Sequence, residues 1–133
     1  MKYMLDTNTC IYIIKHKPAE VLRHFLKYEP GDICISEITN SELLYGVEKS
    51  TSPDRNRLAL TLFLSEMIIL PYDSEASKEY GIIRTDLERK GTPIGPMDML
   101  IAAHAKSKEL ILVTNNEREF RRVKELNVEN WCN

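Results

Sequence analysis

The sequence lacks a strong charge of either sign. Its 18 basic and 20 acidic residues leave a formal net charge of −2, so overall charge does not indicate a nucleic-acid-binding protein. A nucleic-acid substrate would need a local basic patch or a metal ion to offset the acidic balance. The chain also lacks internal repeats and low-complexity segments, and its 133 residues predict one domain over residues 1–133.

Cysteine is scarce, and no apolar run approaches the ~20 residues needed to span a bilayer. Cys10, Cys34 and Cys132 form no CxxC pair, and the histidines do not fall at zinc-finger spacing. Cys10 and Cys34 lie in apolar stretches and are expected to be small core residues. An odd cysteine count without a signal peptide indicates a reducing cytoplasm.

Short apolar runs alternate with helical segments along the chain. The apolar runs predict strands at 2–6, 33–36, 68–70, 110–114 and 126–128. Helices are predicted at 8–16, 18–28, 37–50, from 53, at 74–89, 97–108 and, in short form, within 115–120. This alternation predicts an α/β fold with a parallel sheet and helices on both faces. Apolar strands without polar alternation agree, because parallel strands are buried on both sides.

The first predicted strand ends on a carboxylate. Asp6 follows the run MKYML, and a buried charge is unfavourable unless it is paired or holds a metal. Ligand sites in parallel α/β folds lie beyond the carboxyl ends of the strands, and Thr114 and Asn115 stand at the end of the fourth. The competing interpretation is that Asp6 only caps the following helix.

Two further acids occur in unusual settings. Glu42 is flanked by apolar residues in ITNSELLYG, and Asp98 follows a Gly95-Pro96 turn. The fold can bring both to the sheet edge that holds Asp6, where like charges repel. A divalent cation removes that repulsion, and oxygen-only ligands favour Mg²⁺ or Mn²⁺, which activate water for phosphodiester hydrolysis. Taken alone, Glu42 could be a solvated helix residue and Asp98 an acid favoured by the helix dipole.

The sequence resembles PIN-domain ribonucleases, most closely the VapC-type toxins of bacterial type II toxin–antitoxin operons. Four segments carry the resemblance in order: MLDTN, ITNSELLYG, KGTPIGPMDMLIAAHA and LVTNNEREF. With the ending VENW, the resemblance runs from Met4 to Trp131. It implies a single PIN domain, a three-layer α/β/α sandwich with a central twisted parallel sheet. It also implies a Mg²⁺- or Mn²⁺-dependent endoribonuclease, often acting on tRNA to arrest translation. The implied partners are a second copy in a homodimer and a VapB-like antitoxin whose tail lies across the active site.

The resemblance places the acidic site on Asp6, Glu42 and Asp98. Asp6 would be the central metal ligand, and Glu42 and Asp98 would complete the shell around the ion. Thr7 and Asn8 are expected to orient Asp6 and the phosphate oxygens.

The fourth acidic position departs from the family. Asn116 stands where many PIN domains carry an aspartate, and Glu119, one helical turn later, is expected to fill that place on the same face. This departure favours a mechanism with one metal ion. Thr114 and Asn115 are expected to form a polar wall that positions water or phosphate, although Asn115 and Asn116 could instead cap the last helix.

Basic side chains are the candidates for contacts with RNA phosphates. Lys90, in the loop before the sixth predicted helix, is the strongest candidate, with Arg89 beside it. Arg121, Arg122 and Lys124 form a second cluster. The alternative for each of them is a solvated surface residue.

Two other features have structural interpretations. The segment 58–70 is more apolar than one core face requires, which indicates either an interface or a fully buried helix. His104 lies in an alanine-rich helix and is expected to be a packing or surface residue rather than an acid–base group.

Three other functions compete with the ribonuclease. A phosphatase with an aspartyl nucleophile commonly shows a DxD pattern, but Asp6 is followed by Thr7 and Asn8. A receiver domain would want an acidic pair after the first strand and a lysine after the last, and neither appears. A non-catalytic RNA-binding module would pair its acids with arginines, and Asn116 is the feature that favours it.

Overall fold

Five parallel strands form one sheet in the computed structural model, which describes residues 1–132. The strands are β1 (Tyr3–Leu5), β2 (Ile33–Ser36), β3 (Ile68–Leu70), β4 (Ile111–Val113) and β5 (Val128–Glu129). Their order across the sheet is β3-β2-β1-β4-β5. The chain therefore changes direction between β1 and β4, and a crevice at the carboxyl ends of such a strand pair is where ligands bind in open α/β sheets.

Helices cover both faces of this sheet, which confirms the predicted α/β/α architecture. They are α1 (Thr7–Lys15), α2 (Ala19–Leu26), α3 (Glu37–Lys49), α4 (Pro53–Leu64), α5 (Ser74–Lys90), α6 (Pro96–Ser107) and α7 (Glu117–Phe120). The prediction of the last strand at 126–128 is wrong by two residues at its start, because the side chain of Leu126 packs against the core before the chain pairs with β4.

Alternate residues of each strand enter two separate cores. Met4, Cys34 and Leu112 pack with α5 and α6 on one face. Leu5 and Ile35 point to the opposite face, which α1 to α4 cover. Both sets are apolar because both faces are buried, and this explains why the strands show no polar alternation.

Helix α6 packs closely against its neighbours because its buried face is rich in alanine. Ala102, Ala103 and Ala105 are completely buried beside Met99 and Ile101, so little side-chain volume separates the helix from α5 and the sheet. Ion pairs near its carboxyl end hold α6 to the start of α5, with Lys106 Nζ 3.1 Å from Glu79 Oε2. The position of α6 fixes where its first turn, which carries Asp98, meets the sheet.

His104 fastens α6 to the end of β2, which confirms the predicted packing role. Its Nδ1 lies 2.7 Å from the hydroxyl oxygen of Ser36, and its ring meets Tyr72 edge-on at 5.4 Å. Burial lowers the pKa of His104, so the ring is neutral near pH 7. Ser36 also accepts the backbone N–H of Ile38 and so starts α3, the helix that carries Glu42.

Cys10 and Cys34 are buried core residues, as predicted. Burial raises the pKa of the Cys34 thiol to about 12, which makes it unreactive.

In the described chain, no helix combines the length and the apolar character required to cross a membrane.

Ala103→Leu should destabilise the protein, because the added carbons must enter the filled core around α6. We expect the free energy of unfolding to fall by about 1–3 kcal/mol, measured by urea denaturation. Ala19→Leu adds the same atoms at an exposed position of α2 and should change it by less than about 0.5 kcal/mol. Equal effects of the two substitutions would contradict the close packing described for α6.

Candidate active site

Asp6 ends β1 and caps α1 with a buried carboxylate. Its Oδ1 accepts the backbone N–H of Thr9 at 2.9 Å, and its Oδ2 accepts the hydroxyl of Thr114 at 2.5 Å. Asp6 is only 4% exposed, and its burial raises the pKa of the carboxyl while the bonds from Thr114 and Thr9 oppose that rise. The helix-cap interpretation is therefore correct, but it leaves the charge of Asp6 without a cation.

Thr114 joins the ends of β1 and β4 through one buried hydroxyl group. The hydroxyl donates to Asp6 and accepts the backbone N–H of Asn116 at 2.9 Å. The two bonds fix the orientation of the hydroxyl and, through it, the orientation of the carboxylate. Thr114 was predicted as a polar wall, and the structure places it in direct contact with the central acid.

Glu42 reaches the same edge of the sheet from α3. The hydroxyl of Thr7, at the start of α1, donates to its Oε1 at 2.5 Å. The prediction that Thr7 orients Asp6 is therefore wrong, because the first turn of α1 directs the Thr7 side chain toward α3. Thr9, which the sequence analysis missed, takes that role through its backbone N–H.

The negative charges of the other acids contribute to a raised pKa of Asp98. Its pKa is raised to about 6, chiefly by burial and then by the negative charges of Asp6, Glu42 and Glu119. Like charges shift a pKa in this way only at short range. The fold therefore brings the three predicted acids and Glu119 to one region at the carboxyl edge of the sheet.

Asn116 and Glu119, the residues expected at the fourth acidic position, contact each other through their side chains. The Asn116 side-chain amide donates to Glu119 Oε2 at 3.0 Å, which agrees with the prediction that both residues face the same side of the last helix. Asn116 precedes α7, but its side chain makes no capping hydrogen bond. Asn116 therefore holds the cap position of α7 through its backbone, while its side-chain amide contacts a carboxylate instead of the helix end.

The carboxylates lie in one region, but their side chains do not converge on a common point. Among residues 1–132, no three Asp, Glu, His or Cys side chains are arranged so that they could hold a metal ion as they lie. Mg²⁺ does not require such a cage, because it usually keeps several waters and takes one or two protein carboxylates.

The chemistry of this region still fits a divalent cation. Its charged groups are all carboxylates, and within the described part of the chain no basic side chain forms a salt bridge with any of them. Oxygen donors with an unbalanced negative charge are the ligand set that Mg²⁺ and Mn²⁺ prefer.

The rim of the site contains amide side chains beyond the ends of β4 and β5. The side-chain amide of Asn130 donates to Asn115 Oδ1 at 3.2 Å and to Glu117 Oε2 at 3.0 Å. Asn115 is exposed there, as expected of a wall residue, and so is Asn8 on α1. Sequence analysis missed Asn130, although the rule that sites follow strand ends would have found it with β5 placed at 128–129.

Lys90 and Arg89 lie at the end of α5, outside the acidic cluster. Lys90 Nζ is 2.8 Å from Asp86 Oδ2, one turn earlier on the same helix. Arg89 is exposed and borders a cleft beside α5. Contact of either residue with RNA stays a prediction.

Comparison with known proteins agrees with this geometry. The sequence matches the family model of the PIN domain over residues 3–126. It is 48% identical over 132 residues to the tRNA(fMet)-specific endonuclease VapC of Salmonella typhimurium, covering 99% of both chains. It is 50% identical over 131 residues to the protein of the same description from Shigella flexneri, covering 98% of both.

A solved structure extends the likeness to the fold. The toxin–antitoxin complex described as DNA-bound VapBC from Salmonella typhimurium contains a chain that superposes with a TM-score of 0.94 at 48% identity, covering 99% of both chains. The family prediction made from the four motifs is therefore confirmed. The chain belongs to the PIN-domain family and, within it, to the VapC proteins.

Proposed function

We propose that this protein is the toxin of a toxin–antitoxin pair, an endoribonuclease that hydrolyses phosphodiester bonds in tRNA and so arrests translation. The observation that carries the proposal is the group of carboxylates at the β1–β4 crevice, where Asp98 has a pKa of about 6. The relatives named tRNA(fMet)-specific endonuclease support tRNA as the substrate.

We infer that Asp6, Asp98 and Glu42 hold Mg²⁺ or Mn²⁺, with Glu119 standing in for the missing fourth aspartate. A bound ion of this kind lowers the pKa of a water ligand and neutralises charge on the phosphate. Thr9 and Thr114 keep Asp6 in one orientation. Such fixed orientation matters because hydrolysis depends on the alignment of the attacking oxygen with the phosphorus atom.

The polar groups around the acids have supporting roles in this proposal. Thr7 fixes Oε1 of Glu42, which leaves Oε2 as the oxygen directed to water or metal. Asn116 holds Glu119 in the same way. The exposed amides of Asn8 and Asn115 would hydrogen-bond phosphate oxygens at the rim.

We also propose a VapB-like antitoxin and a second copy of the chain as partners. The solved VapBC complex supports the first. Exposed leucines on α3 and α4 support an interface, since Leu44, Leu58 and Leu62 are 45%, 62% and 65% exposed. Only Leu60 of α4 is deeply buried, so the segment 58–70 is not a fully buried helix. A cytoplasmic location stays a prediction.

A non-catalytic RNA-binding module is the second candidate, and Asn116 is the observation that favours it. In that case the acids would be structural and would pair with arginines. Within residues 1–132 the acidic cluster forms no such pair. The nuclease therefore accounts for the arrangement better.

Asp6→Asn should abolish RNA cleavage while the protein stays folded. Asparagine caps helices as well as aspartate does, but it removes the central negative charge. We expect the rate of tRNA cleavage with Mg²⁺ or Mn²⁺ to fall at least about 100-fold, measured on gels with purified tRNA. Asp54→Asn, at an exposed position, is the control and should cleave normally. Cleavage that survives Asp6→Asn, or that persists in chelator, would reject the proposed site.

The contribution of Asp98 to stability in the presence of chelator should fall as the pH rises from about 4 to about 7. Asp98 ionises near pH 6 when folded but near its ordinary value of 3.8 when unfolded, so the folded state holds its proton longer. Asp98→Asn should therefore raise the free energy of unfolding at pH 7.5 by about 1–3 kcal/mol and change it little at pH 4. Urea denaturation at the two pH values measures this, and an equal effect at both would contradict the raised pKa.

Mg²⁺ or Mn²⁺ should raise the melting temperature of the protein at pH 7.5. A ligand that binds only the folded state adds about 2.7 kcal/mol when its concentration is 100 times its Kd, which corresponds to a shift of several degrees. The shift should disappear in Asp98→Asn and persist in Asp54→Asn. A shift of the same size in both variants would place the ion elsewhere.

A further inference from the structure

A cleft of about 560 Å³ lies between α5 and the chain segment that leads from α7 to β5. Arg89 and Thr85 of α5 line it together with Lys106 of α6, Lys124 and Glu125. The acidic cluster does not line this cleft, and Arg89 and Lys124 are among the candidates for RNA contact named above.

Positive charge exceeds negative charge in and around this cleft. Lys90 and Lys124 share one carboxylate, Asp86, at 2.8 and 3.5 Å. Arg89 forms no salt bridge with any residue in the described range. At this end of the cleft, three basic side chains are therefore balanced by only one carboxylate.

The excess also holds among the residues that line the cleft. Three of them are basic and two are acidic: Arg89, Lys106 and Lys124 against Asp86 and Glu125. This local excess of one positive charge occurs in a chain whose formal net charge is −2. The cleft is therefore positively charged on a molecule that is otherwise acidic.

One contact connects the border of the cleft, at the residue before Val123, with the loop that precedes Asp98. Arg122 Nη1 donates to the backbone carbonyl of Pro93 at 2.8 Å, and Pro93 lies in the loop that joins the end of α5 to the start of α6. Asp98 is in the first turn of α6. The loop that contains Pro93 therefore joins the border of the cleft to the helix that carries Asp98.

We propose that this cleft, together with Arg122 and Lys90 at its mouth, binds the RNA backbone beside the bond that is cut. The inference rests on the proposed ribonuclease function and adds the surface that holds the substrate. The acidic cluster repels a polyanion, so attraction must come from cations nearby. Side chains that neutralise phosphates make affinity depend on salt, and lysine and arginine contacts of this kind carry no sequence preference.

Arg89 and Lys124 are the residues on which to test this inference. Arg89 is exposed and free of a salt bridge within the described chain, and loss of Lys124 leaves Asp86 paired with Lys90. Arg122 is less suitable, because its loss also frees the Pro93 carbonyl before Asp98. The paired control is Arg23→Gln with Lys78→Gln, which removes two exposed cations that each contact a carboxylate elsewhere.

The experiment measures binding of a labelled tRNA(fMet) transcript, in chelator to prevent cleavage, over a range of KCl concentrations. In Arg89→Gln/Lys124→Gln we expect the slope of log affinity against log salt to become shallower by about 1–2, and affinity at low salt to fall about 10-fold or more. The control pair should keep the wild-type slope. Arg89→Lys/Lys124→Arg keeps both charges and should restore it.

Cleavage kinetics separate substrate binding from the chemical step. With Mg²⁺ or Mn²⁺, the double variant should show a raised KM and an unchanged kcat. A wild-type slope in the double variant, while the wild-type protein still cleaves tRNA, would overturn the proposal that the cleft binds RNA and would leave the proposed function intact. Failure of the wild-type protein to cleave any RNA would overturn the proposed function first. If the double variant unfolds, Arg89→Gln alone, at an exposed position, gives the same test with a smaller slope change.

Discussion

The burial of one carboxylate at the end of β1 is the constraint to which the rest of the site conforms. Asp6 must lie between β1 and β4, where the order in which the chain adds strands to the sheet reverses. At such a point the ends of neighbouring strands leave a crevice. It must also be hydrogen-bonded, because an unsatisfied buried charge is strongly unfavourable. The amide of Thr9 and the hydroxyl of Thr114 meet this requirement but supply no positive charge. The metal ion proposed above would supply that charge and so link the fold to the chemistry.

Most of the fold and the central acids could be predicted from the sequence, for clear physical reasons. Apolar runs of strand length separated by helical segments admit few arrangements other than a parallel sheet covered on both faces. A carboxylate directly after a buried strand is rare enough to indicate a site, as Asp6 does. Glu42 and Asp98 were weaker signals, and the family motifs made them specific. The structure agrees by placing all three within range of each other's charge.

What could not be predicted depends on side-chain direction and on contacts between distant segments. Thr7 and Thr9 are two positions apart on α1, and only helix geometry decides that the first meets Glu42 and the second meets Asp6. The contact between Asn130 and Asn115 depends on where β5 begins. The sharing of Asp86 by Lys90 and Lys124 joins segments that no local pattern connects. Such contacts become visible only when the strands and helices are in place.

Asp6 is both a candidate metal ligand and the cap of α1. This combination affects how a protein of this kind can lose activity. Most substitutions that remove a buried acid also weaken the fold, because they leave its hydrogen-bond donors unpaired. Asparagine at this position keeps an oxygen for the α1 cap, and the Thr114 hydroxyl can rotate to meet the new amide. If Asp6 is the metal ligand proposed above, a single base change in its codon yields an inactive chain of native shape. Such a chain keeps every surface of the active protein, so it would compete with the active chain for any protein that binds those surfaces.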